Sequence, residues 1–197
     1  MTRKPTEIRQ AEIKKSVLEI IENEGIKALS TKNLAKQTGI SEGAIFRHFK
    51  SKRDIILSII NDVSTDLIEE LRKIAYDEKK KPEKRLFNYL CKTITYLTEN
   101  NGITILLFTE ASHSNDQEMM TRLNAIFNSQ RELAGKIISD GMMLGIWNKN
   151  IAVEDVTMLY MGIPITHNIN LILSKGKAYK HDFCEKMMLL FERILMK

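Results

Sequence analysis

The chain has 197 residues, of which 43% are hydrophobic and 28% are charged, and it carries a net charge of +5. This length and composition provide for a buried core and exclude a chain that is disordered throughout. No segment approaches the roughly 18 continuous apolar residues of a membrane span, and the first residues are polar, unlike a secretory signal. Cys91 and Cys184 lie in apolar helical patterns, which favours buried free thiols in a reducing compartment. We therefore expect a cytoplasmic protein with no membrane partner.

The positive charge is concentrated at one end of the chain. Residues 1–60 contain 12 Lys and Arg against 7 Asp and Glu, so they hold the whole excess, and the remainder is neutral. A basic segment of this kind suits a polyanionic partner. An excess of this size also arises by chance, so it supports a function only where a motif coincides with it.

A first helix is predicted from the apolar residues Ile13, Val17, Ile20 and Ile21, which share one helical face, and Gly25 ends it. Segment 29–54 then has the pattern of two short helices joined by a tight turn. This is the build of a helix-turn-helix, whose second helix enters the major groove of DNA.

Capping residues define the two short helices. Ser30 or Thr31 can cap the first, because a hydroxyl accepts a hydrogen bond from a free N–H group of the first turn. Gly39 stands where a helix end needs a left-handed residue, and Ser41 can cap the second helix. Ser51 can cap a third, which would begin at Lys52.

Apolar residues continue at helical spacing beyond Ser51 and predict a long helix from Lys52 to about Tyr76. The charged run at 77–81 and Pro82 mark the best boundary in the chain, since proline suits the first turn of a new helix. The run is too short for a free linker, so we expect the two parts to pack together. The apolar stripe consists of Ile56, Ile59, Ile60, Val63, Leu67 and Leu71.

The rest of the chain also has helical patterns, and no convincing strand pattern interrupts them. We therefore predict an all-α fold. The predicted helices cover about 82–100, 102–113, 116–144, 153–174 and 180–196.

With these elements in place, the chain resembles the TetR family of bacterial repressors. The resemblance covers the first quarter of the chain and implies an N-terminal three-helix DNA-binding domain at 1–51. It further implies a connecting helix at 52–77 and a helical domain at 78–197 that binds a small molecule and forms a homodimer. The matching residues are Ile13, Gly25, Thr31, Leu34, Ala35, Gly39, Ile40, Ser41, Gly43, Ile45, Phe46, His48, Phe49 and Lys52.

The resemblance implies four contacts with DNA phosphates. Thr31 would place its hydroxyl and nearby N–H groups on one phosphate, and Lys32 would reach another. His48 and Lys52 match phosphate contacts of the family. For His48 alone a packed or surface histidine is the commoner role, and its place in the motif reverses that expectation.

The second short helix would face the bases. Ser41, Glu42, Gly43 and Ala44 open it, where side chains meet base edges. Gly43 would let the backbone approach DNA closely, and Ala44 would touch a thymine methyl. Glu42 either accepts from cytosine N4 or faces solvent. Arg47 either reads guanine or binds phosphate.

Phe46 departs from the family pattern, which usually has tyrosine at this position. Phenylalanine keeps the ring and loses the hydroxyl that would bond a phosphate. We expect DNA binding to be weaker by about 1 kcal/mol as a result. Its neighbours Ile45 and Phe49 are assigned to the core.

The last two helices carry apolar stripes that suit a dimer interface in the form of a four-helix bundle. Alternatively, these stripes pack on the core of their own domain, because an apolar stripe does not reveal which chain buries it. The predicted interface comprises Leu159, Phe183, Met187, Leu190, Phe191 and Ile194.

Aromatic residues with a few polar groups among them predict a largely apolar effector pocket in the second domain. Plain core is the alternative for each of them. No cofactor or metal is predicted, although His181 and Cys184 have a spacing that would suit a metal on a helix. The predicted pocket residues are Phe87, Tyr96, Phe108, Phe127, Tyr160, Met161 and His167.

The sequence contains no H-E-x-x-H, C-x-x-C or glycine-rich phosphate loop. We therefore predict a regulator rather than an enzyme: a repressor that leaves a palindromic double-stranded operator when it binds a small molecule. The first alternative is an architectural or nucleoid-associated DNA binder of the same fold that has no inducer. The second is an unrecognised enzyme, for which nothing in the sequence places His113, His167 and Glu110 together.

Overall fold

The computed structural model describes residues 5–100, 103–174 and 182–196. Within these ranges the chain is helical and contains no strand, so the all-α prediction is confirmed. The α-helices are α1 (Thr6–Glu24), α2 (Thr31–Thr38), α3 (Glu42–Ile45), α4 (Lys52–Asp62), α5 (Glu69–Ala75), α6 (Pro82–Glu99), α7 (Ile103–Ser114), α8 (Gln117–Met143), α9 (Val153–Leu173) and α10 (Phe183–Leu195).

The first three helices form a small domain around the apolar face of α1. Ile13 and Val17 on this face are fully buried, and α2 packs directly against α1. Ile45 and Phe49 are also buried, which confirms their assignment to the core. Burial of these side chains holds α3 at a fixed angle on the other two helices.

Three serine caps set the helix starts, as the sequence predicts. Ser30 Oγ accepts a hydrogen bond from the Asn33 N–H at 3.1 Å. Ser41 and Ser51 accept in the same way, at 3.2 and 3.1 Å, from N–H groups three residues later. Each cap stabilises its helix by about 1 kcal/mol. Gly39 has φ 70°, the left-handed conformation that ends α2 and turns the chain towards α3.

The second helix of the motif is shorter than its pattern suggests. Regular α-helix ends at Ile45, and residues 46–48 continue as tight turns. The His48 N–H bonds the Ile45 carbonyl three residues back, at 2.9 Å, instead of the carbonyl four residues back. Arg47 and His48 therefore lie in the turn that follows the helix.

The connecting helix runs without a break over 52–75, close to the predicted bounds, through α4, a π-helical turn at Val63–Ile68 and α5. The Thr65 hydroxyl bonds the carbonyls of Asn61 and Asp62 at 3.3 and 3.2 Å. A side-chain hydroxyl that donates to backbone carbonyls competes with the regular backbone hydrogen bonds of the α-helix. This competition is consistent with the wider π-helical turn at this point. The predicted stripe of this helix is buried throughout.

A buried arginine joins the connecting helix to the second domain. The Arg85 guanidinium donates to the Ala75 carbonyl at the end of α5, at 2.7 Å, and pairs with Asp140 on α8 at 2.9 Å. A cation at a helix C-terminus satisfies the free carbonyl and the helix dipole. The two domains therefore pack together, as the short boundary predicts.

The second domain is built on α6, α8 and α9, which pack against one another, with α10 on α6. Two buried tyrosines fix the contacts. The Tyr160 hydroxyl donates to the Leu86 carbonyl at 2.7 Å, and the Tyr89 hydroxyl donates to the Gln130 carbonyl at 2.9 Å. Both phenols are thereby satisfied inside an apolar core.

Helix α9 is 21 residues long and apolar enough, by length and composition alone, to cross a membrane. The sequence pattern alone does not predict such a segment. In the structure α9 packs on α6 and α8, buries Tyr160 and Met161, and also buries the polar His167 and Asn168. These contacts identify it as a core helix of the second domain.

A close contact between Trp147 and Gly141 lies at the C-terminal end of α8. Trp147 is 2% exposed, and its ring lies on the backbone of Gly141. A Cβ at position 141 would stand 2.1 Å from Trp147 Cε3, which is far inside van der Waals contact. Only glycine at this position admits the indole ring.

Candidate nucleic-acid interface

One exposed surface is built from the start of α2, the start of α3 and the turn that follows α3. Thr31 is the first residue of α2 and is half-buried, and Lys32 beside it is exposed. Ala44, His48 and Lys52 are half-buried at the edge of this surface. The remaining predicted contact residues are exposed: Ser41, Glu42, Gly43, Phe46 and Arg47.

The cations of this surface are not compensated. Within the described residues Lys32, Arg47 and Lys52 form no ion pair. Three cations on α1 do form ion pairs: Arg9 pairs with Glu12 at 2.8 Å, Lys14 pairs with an aspartate of α4, and Lys15 pairs with Glu19 at 3.9 Å. The uncompensated charge leaves a positive patch beside the exposed start of α3, where the helix dipole is also positive.

Gly43 has no structural reason to be glycine. A Cβ built at this position meets no atom within 4 Å, and φ is not positive. Glycine inside a helix is destabilising by about 1 kcal/mol relative to alanine. The residue therefore leaves the backbone of α3 bare at an exposed part of the surface.

Phe46 and His48 flank the turn. Phe46 is 51% exposed, which is unusual for a phenylalanine, and its ring rests beside the core without entering it. The backbone carbonyl of His48 accepts a hydrogen bond from Gln10 Nε2 at 3.0 Å, which ties the turn to α1. Among the described residues no hydrogen-bond partner exists for His48 Nδ1.

Arg53 forms a contact that the sequence pattern does not indicate. Its guanidinium binds Asp116 through two nitrogens, at 2.5 and 2.9 Å, and Glu118 at 2.7 Å. The Arg53 guanidinium lowers the pKa of Asp116 to about 2, so the carboxylate is ionised at neutral pH. Because Asp116 also caps α8 through the Met119 N–H, the first turn of α4 is joined directly to the second domain.

A second exposed surface is apolar and lies on α9 and α10. Three predicted interface residues, Leu159, Leu190 and Ile194, belong to it, each more than half exposed. Phe183 and Met187 are half-buried and pack against the core of their own chain. The other large apolar residues exposed on these two helices are Met158, Ile165, Ile169, Leu173 and Leu189.

Phe191 does not belong to this surface, and its assignment to the interface is corrected. Its side chain is 3% exposed and meets the Tyr160 ring edge-on, with ring centroids 5.3 Å apart. The apolar stripe of α10 is wide enough that one side of it packs on the core while the other side stays exposed. Phe191 lies on the side that faces α6 and α9, while Leu190 and Ile194 face outwards.

The predicted pocket residues are not gathered around one cavity. Phe87 lines an open groove of about 410 Å³ between α6 and α10. Tyr96 lines another, of about 310 Å³, between α1, the connecting helix and α6. Phe108 and Phe127 are half-buried against the core on α7 and α8.

Tyr160, Met161 and His167 are buried together on α9. His167 Nε2 lies 3.5 Å from Thr98 Oγ1, and burial lowers the pKa of this histidine. The neighbouring Asn168 is also buried, and its Oδ1 has no hydrogen-bond partner within the described ranges. Polar groups therefore lie inside the apolar part of the second domain, beside α6.

Within the described residues no group of three His, Cys, Asp or Glu side chains could hold a metal ion. His181, which has a metal-compatible spacing from Cys184, lies outside the described residues.

Comparison with known sequences identifies the first domain. The family of bacterial regulatory proteins named after tetR matches residues 16–59, from the middle of α1 into α4. The nucleoid occlusion factor SlmA of Aliivibrio fischeri is 32% identical over 126 residues, which are 64% of this chain and 63% of that protein. The match therefore spans less than two thirds of SlmA.

Solved structures extend the similarity of the fold to almost the whole chain. The regulator FadR from Bacillus subtilis, in complex with stearoyl-CoA, has a TM-score of 0.72 at 19% identity and covers 95% of this chain and 97% of its own. The ketosteroid regulator KstR2 of Mycobacterium tuberculosis has a TM-score of 0.80 at 16% identity, over 96% and 95% of the two chains. The helix-turn-helix segment therefore matches the TetR family of bacterial regulatory proteins, and the fold of almost the whole chain is similar to that of these solved structures.

Proposed function

We propose that this protein is a DNA-binding transcriptional regulator, a homodimer that represses from a palindromic operator and is released by a largely apolar small molecule. The observation that carries the proposal is the positive patch of Lys32, Arg47 and Lys52 around the exposed start of α3. Exposed cations without acidic partners can bind an anion without first breaking an ion pair, and the phosphate backbone of DNA is such an anion.

The contacts divide into two groups. Thr31, Lys32, His48 and Lys52 hold phosphates and set the position of the protein on the duplex. Segment 41–44 together with Arg47 faces base edges in the major groove, with Phe46 beside them. The bare backbone at Gly43 supports this division, because it permits an approach that any side chain would obstruct.

The apolar surface of α9 and α10 is proposed as the dimer interface. Leu159, Leu190 and Ile194 lie on it, and Gly162, with open space where a Cβ would stand, permits close approach of a second helix. Several large apolar side chains exposed on the same two helices are typical of an interaction site. Two copies of α9 and α10 form a four-helix bundle, and a two-fold dimer places its α3 helices in successive major grooves, roughly 34–36 Å apart.

The effector is proposed to be an acyl chain or another elongated apolar molecule that enters beside α6 and α9. FadR, which shares the fold, is bound to stearoyl-CoA. In this chain His167 and Asn168 supply polar groups within an apolar region, which suits a ligand with one polar end. A ligand that favours one arrangement of the domains changes DNA affinity through the connecting helix and the contact of Arg53 with Asp116.

Selection of bound duplexes from a random library, followed by fluorescence anisotropy across salt, tests the proposal. We expect a palindromic site bound at least about a thousandfold more tightly than random duplex. Addition of a long-chain fatty acid or its CoA thioester should weaken binding. Equal affinity for all duplexes would contradict specific regulation.

The second candidate is an architectural DNA binder without an inducer, which the similarity to SlmA favours. The two functions differ in the response to ligand. An architectural protein keeps the same DNA affinity over a panel of fatty acids, acyl-CoAs and sterols, and none of them raises its melting temperature. A regulator responds to a member of the panel in both measurements.

A further inference from the structure

A polar residue, Gln10, stands on the apolar face of α1. It precedes Ile13 by three residues and Val17 by seven, so the three side chains lie on the same side of the helix. Ile13 and Val17 are fully buried, whereas Gln10 is half-buried at the edge of the core. An amide at a position that suits an apolar residue costs free energy unless it is hydrogen-bonded. Gln10 therefore needs a partner at the edge of the first domain.

The partner lies in the turn that follows α3. Gln10 Nε2 donates to the His48 backbone carbonyl at 3.0 Å, across 38 positions of the sequence. The backbone hydrogen bonds of the turn run from Arg47 and His48 back to the carbonyls of Ala44 and Ile45, at 3.3 and 2.9 Å. Outside the helices, within the described ranges, no backbone N–H bonds the His48 carbonyl. The glutamine side chain of α1 therefore satisfies an acceptor that the turn itself leaves open.

The direction of this turn decides where the His48 ring stands. Regular helix ends at Ile45, so α3 does not fix the residues beyond it. Phe49 anchors the turn in the core on one side, and Gln10 ties it to α1 on the other. His48 Nδ1 is buried and has no hydrogen-bond partner in the described part of the chain. This leaves Nε2 as the ring nitrogen for a phosphate.

We propose that Gln10 is a positioning residue for DNA binding, which holds the turn at 46–48 so that the imidazole of His48 meets a phosphate. The inference rests on the proposed function in DNA binding and names a residue outside the helix-turn-helix that this function needs. Gln10 acts through the His48 carbonyl rather than through a contact with DNA. Without the hydrogen bond the turn adopts more orientations in the free protein, and DNA must select one of them at a cost in affinity.

The test uses the full chain and the duplex selected from the random library. Gln10→Met keeps the length of the side chain but removes the donor, and Gln10→Asn keeps the amide but shortens the side chain by one carbon. Each variant should weaken binding about fivefold, which corresponds to the loss of one hydrogen bond of about 1 kcal/mol. The slope of affinity against salt should fall by up to about one, because a phosphate contact is loosened.

Gln37→Met is the matched control. It removes a glutamine hydrogen bond of similar length, 2.8 Å, from Gln37 Nε2 on α2 to Glu19 on α1. This bond also joins two helices of the first domain but does not reach the turn, so the control should change neither affinity nor slope. Thermal unfolding of all variants establishes that the fold is retained.

A double-mutant cycle separates positioning from a general structural role. If Gln10 acts through the turn, Gln10→Met should change affinity by less than about twofold in a His48→Ala chain, because the contact that it positions is already absent. Fully additive effects, or unchanged affinity in both Gln10 variants, would overturn the proposal. Failure of the unmodified chain to prefer any duplex would instead contradict the proposed function, and would remove the positioning role with it.

Discussion

The two halves of the molecule present opposite surfaces. The first 60 residues hold the entire charge excess and expose cations without partners around α3, whereas the rest of the chain is neutral and exposes apolar side chains on α9 and α10. The first surface is encoded by neighbouring residues, and the second is assembled from distant ones. The proposed partner of the first surface, the phosphate backbone, has a fixed chemistry that suits a local motif, whereas the proposed surfaces for a second subunit and an effector need the whole domain.

The largest expected effect concerns the apolar surface. Leu159→Glu should convert the dimer into monomers, because a two-fold interface would bury two like charges. Operator affinity should then fall at least about a hundredfold, since the two half-sites are no longer bound together. Sedimentation and anisotropy measure both effects. Met143→Glu, an exposed apolar residue on α8, is the matched control and should stay dimeric. A dimeric Leu159→Glu would place the interface elsewhere.

The next effect concerns the positive patch. Arg47→Ala should weaken operator binding by about 1–3 kcal/mol if Arg47 contacts a base, with relaxed specificity at one position. If Arg47 contacts a phosphate, all duplexes lose affinity together and the salt slope falls by about one. Arg131→Ala, an exposed arginine on α8, should change neither quantity. Unchanged binding in Arg47→Ala would remove Arg47 from the interface.

Gly43→Ala separates stability from binding within the first domain. Alanine should stabilise α3 by up to about 1 kcal/mol, since no neighbour obstructs its Cβ and glycine is the poorer helix former. DNA affinity should fall on the order of tenfold, about 1.4 kcal/mol, because the methyl group stands where the duplex approaches. Thermal unfolding and anisotropy of the same preparation measure both. Higher stability with undiminished binding would show that the duplex does not touch this backbone.

A smaller change in DNA affinity, in this case a gain, is expected at the exposed ring of Phe46. Phe46→Tyr adds the hydroxyl that the family usually has, and should tighten binding by about 1 kcal/mol, roughly fivefold, to all duplexes alike. Tyr76→Phe removes a hydroxyl from an equally exposed ring outside the patch and should have no effect. Equal or weaker affinity of Phe46→Tyr in the titration would refute the assignment of Phe46.

The smallest effect concerns the buried polar groups of the second domain. Burial lowers the pKa of His167 from its usual 6.5, so the unfolded chain binds a proton more readily than the folded chain. This part of the stability is present above pH 6.5 and decreases as the pH falls below it. Denaturant unfolding at pH 7.5 and 5.5 should show the decrease, and His167→Gln should reduce it. His113→Gln, at an exposed histidine, is the control. An equal decrease in His167→Gln would assign the pH effect to other groups.

Features set by residues within a few positions were predictable from the sequence. The caps at Ser30, Ser41 and Ser51 and the left-handed Gly39 occur as predicted, because each depends on hydrogen bonds or backbone angles inside one turn. The bounds of the long helices follow from hydrophobic periodicity for the same reason. The contact residues on α2, α3 and α4 remain predictions, since the structure contains no DNA.

Features set by contacts between distant residues were not predictable. Nothing near Arg53 in the sequence indicates that Asp116 will bind it. The stripe of α10 was visible, but its periodicity could not reveal that Phe191 faces inwards and Leu190 outwards. Amphipathic spacing predicts that one face of a helix is buried, but only the tertiary packing determines which part of the molecule buries it.

The contact between Trp147 and Gly141 gives the molecule a natural probe. Trp147 is the only tryptophan in the chain and belongs to the second domain, in the segment between α8 and α9. Its emission therefore reports the loss of that domain alone, while far-ultraviolet circular dichroism reports helices of both domains. Coincident denaturation curves from the two signals would mean that the domains unfold as one cooperative unit. A fluorescence change that lags behind the ellipticity would reveal a first domain that melts earlier.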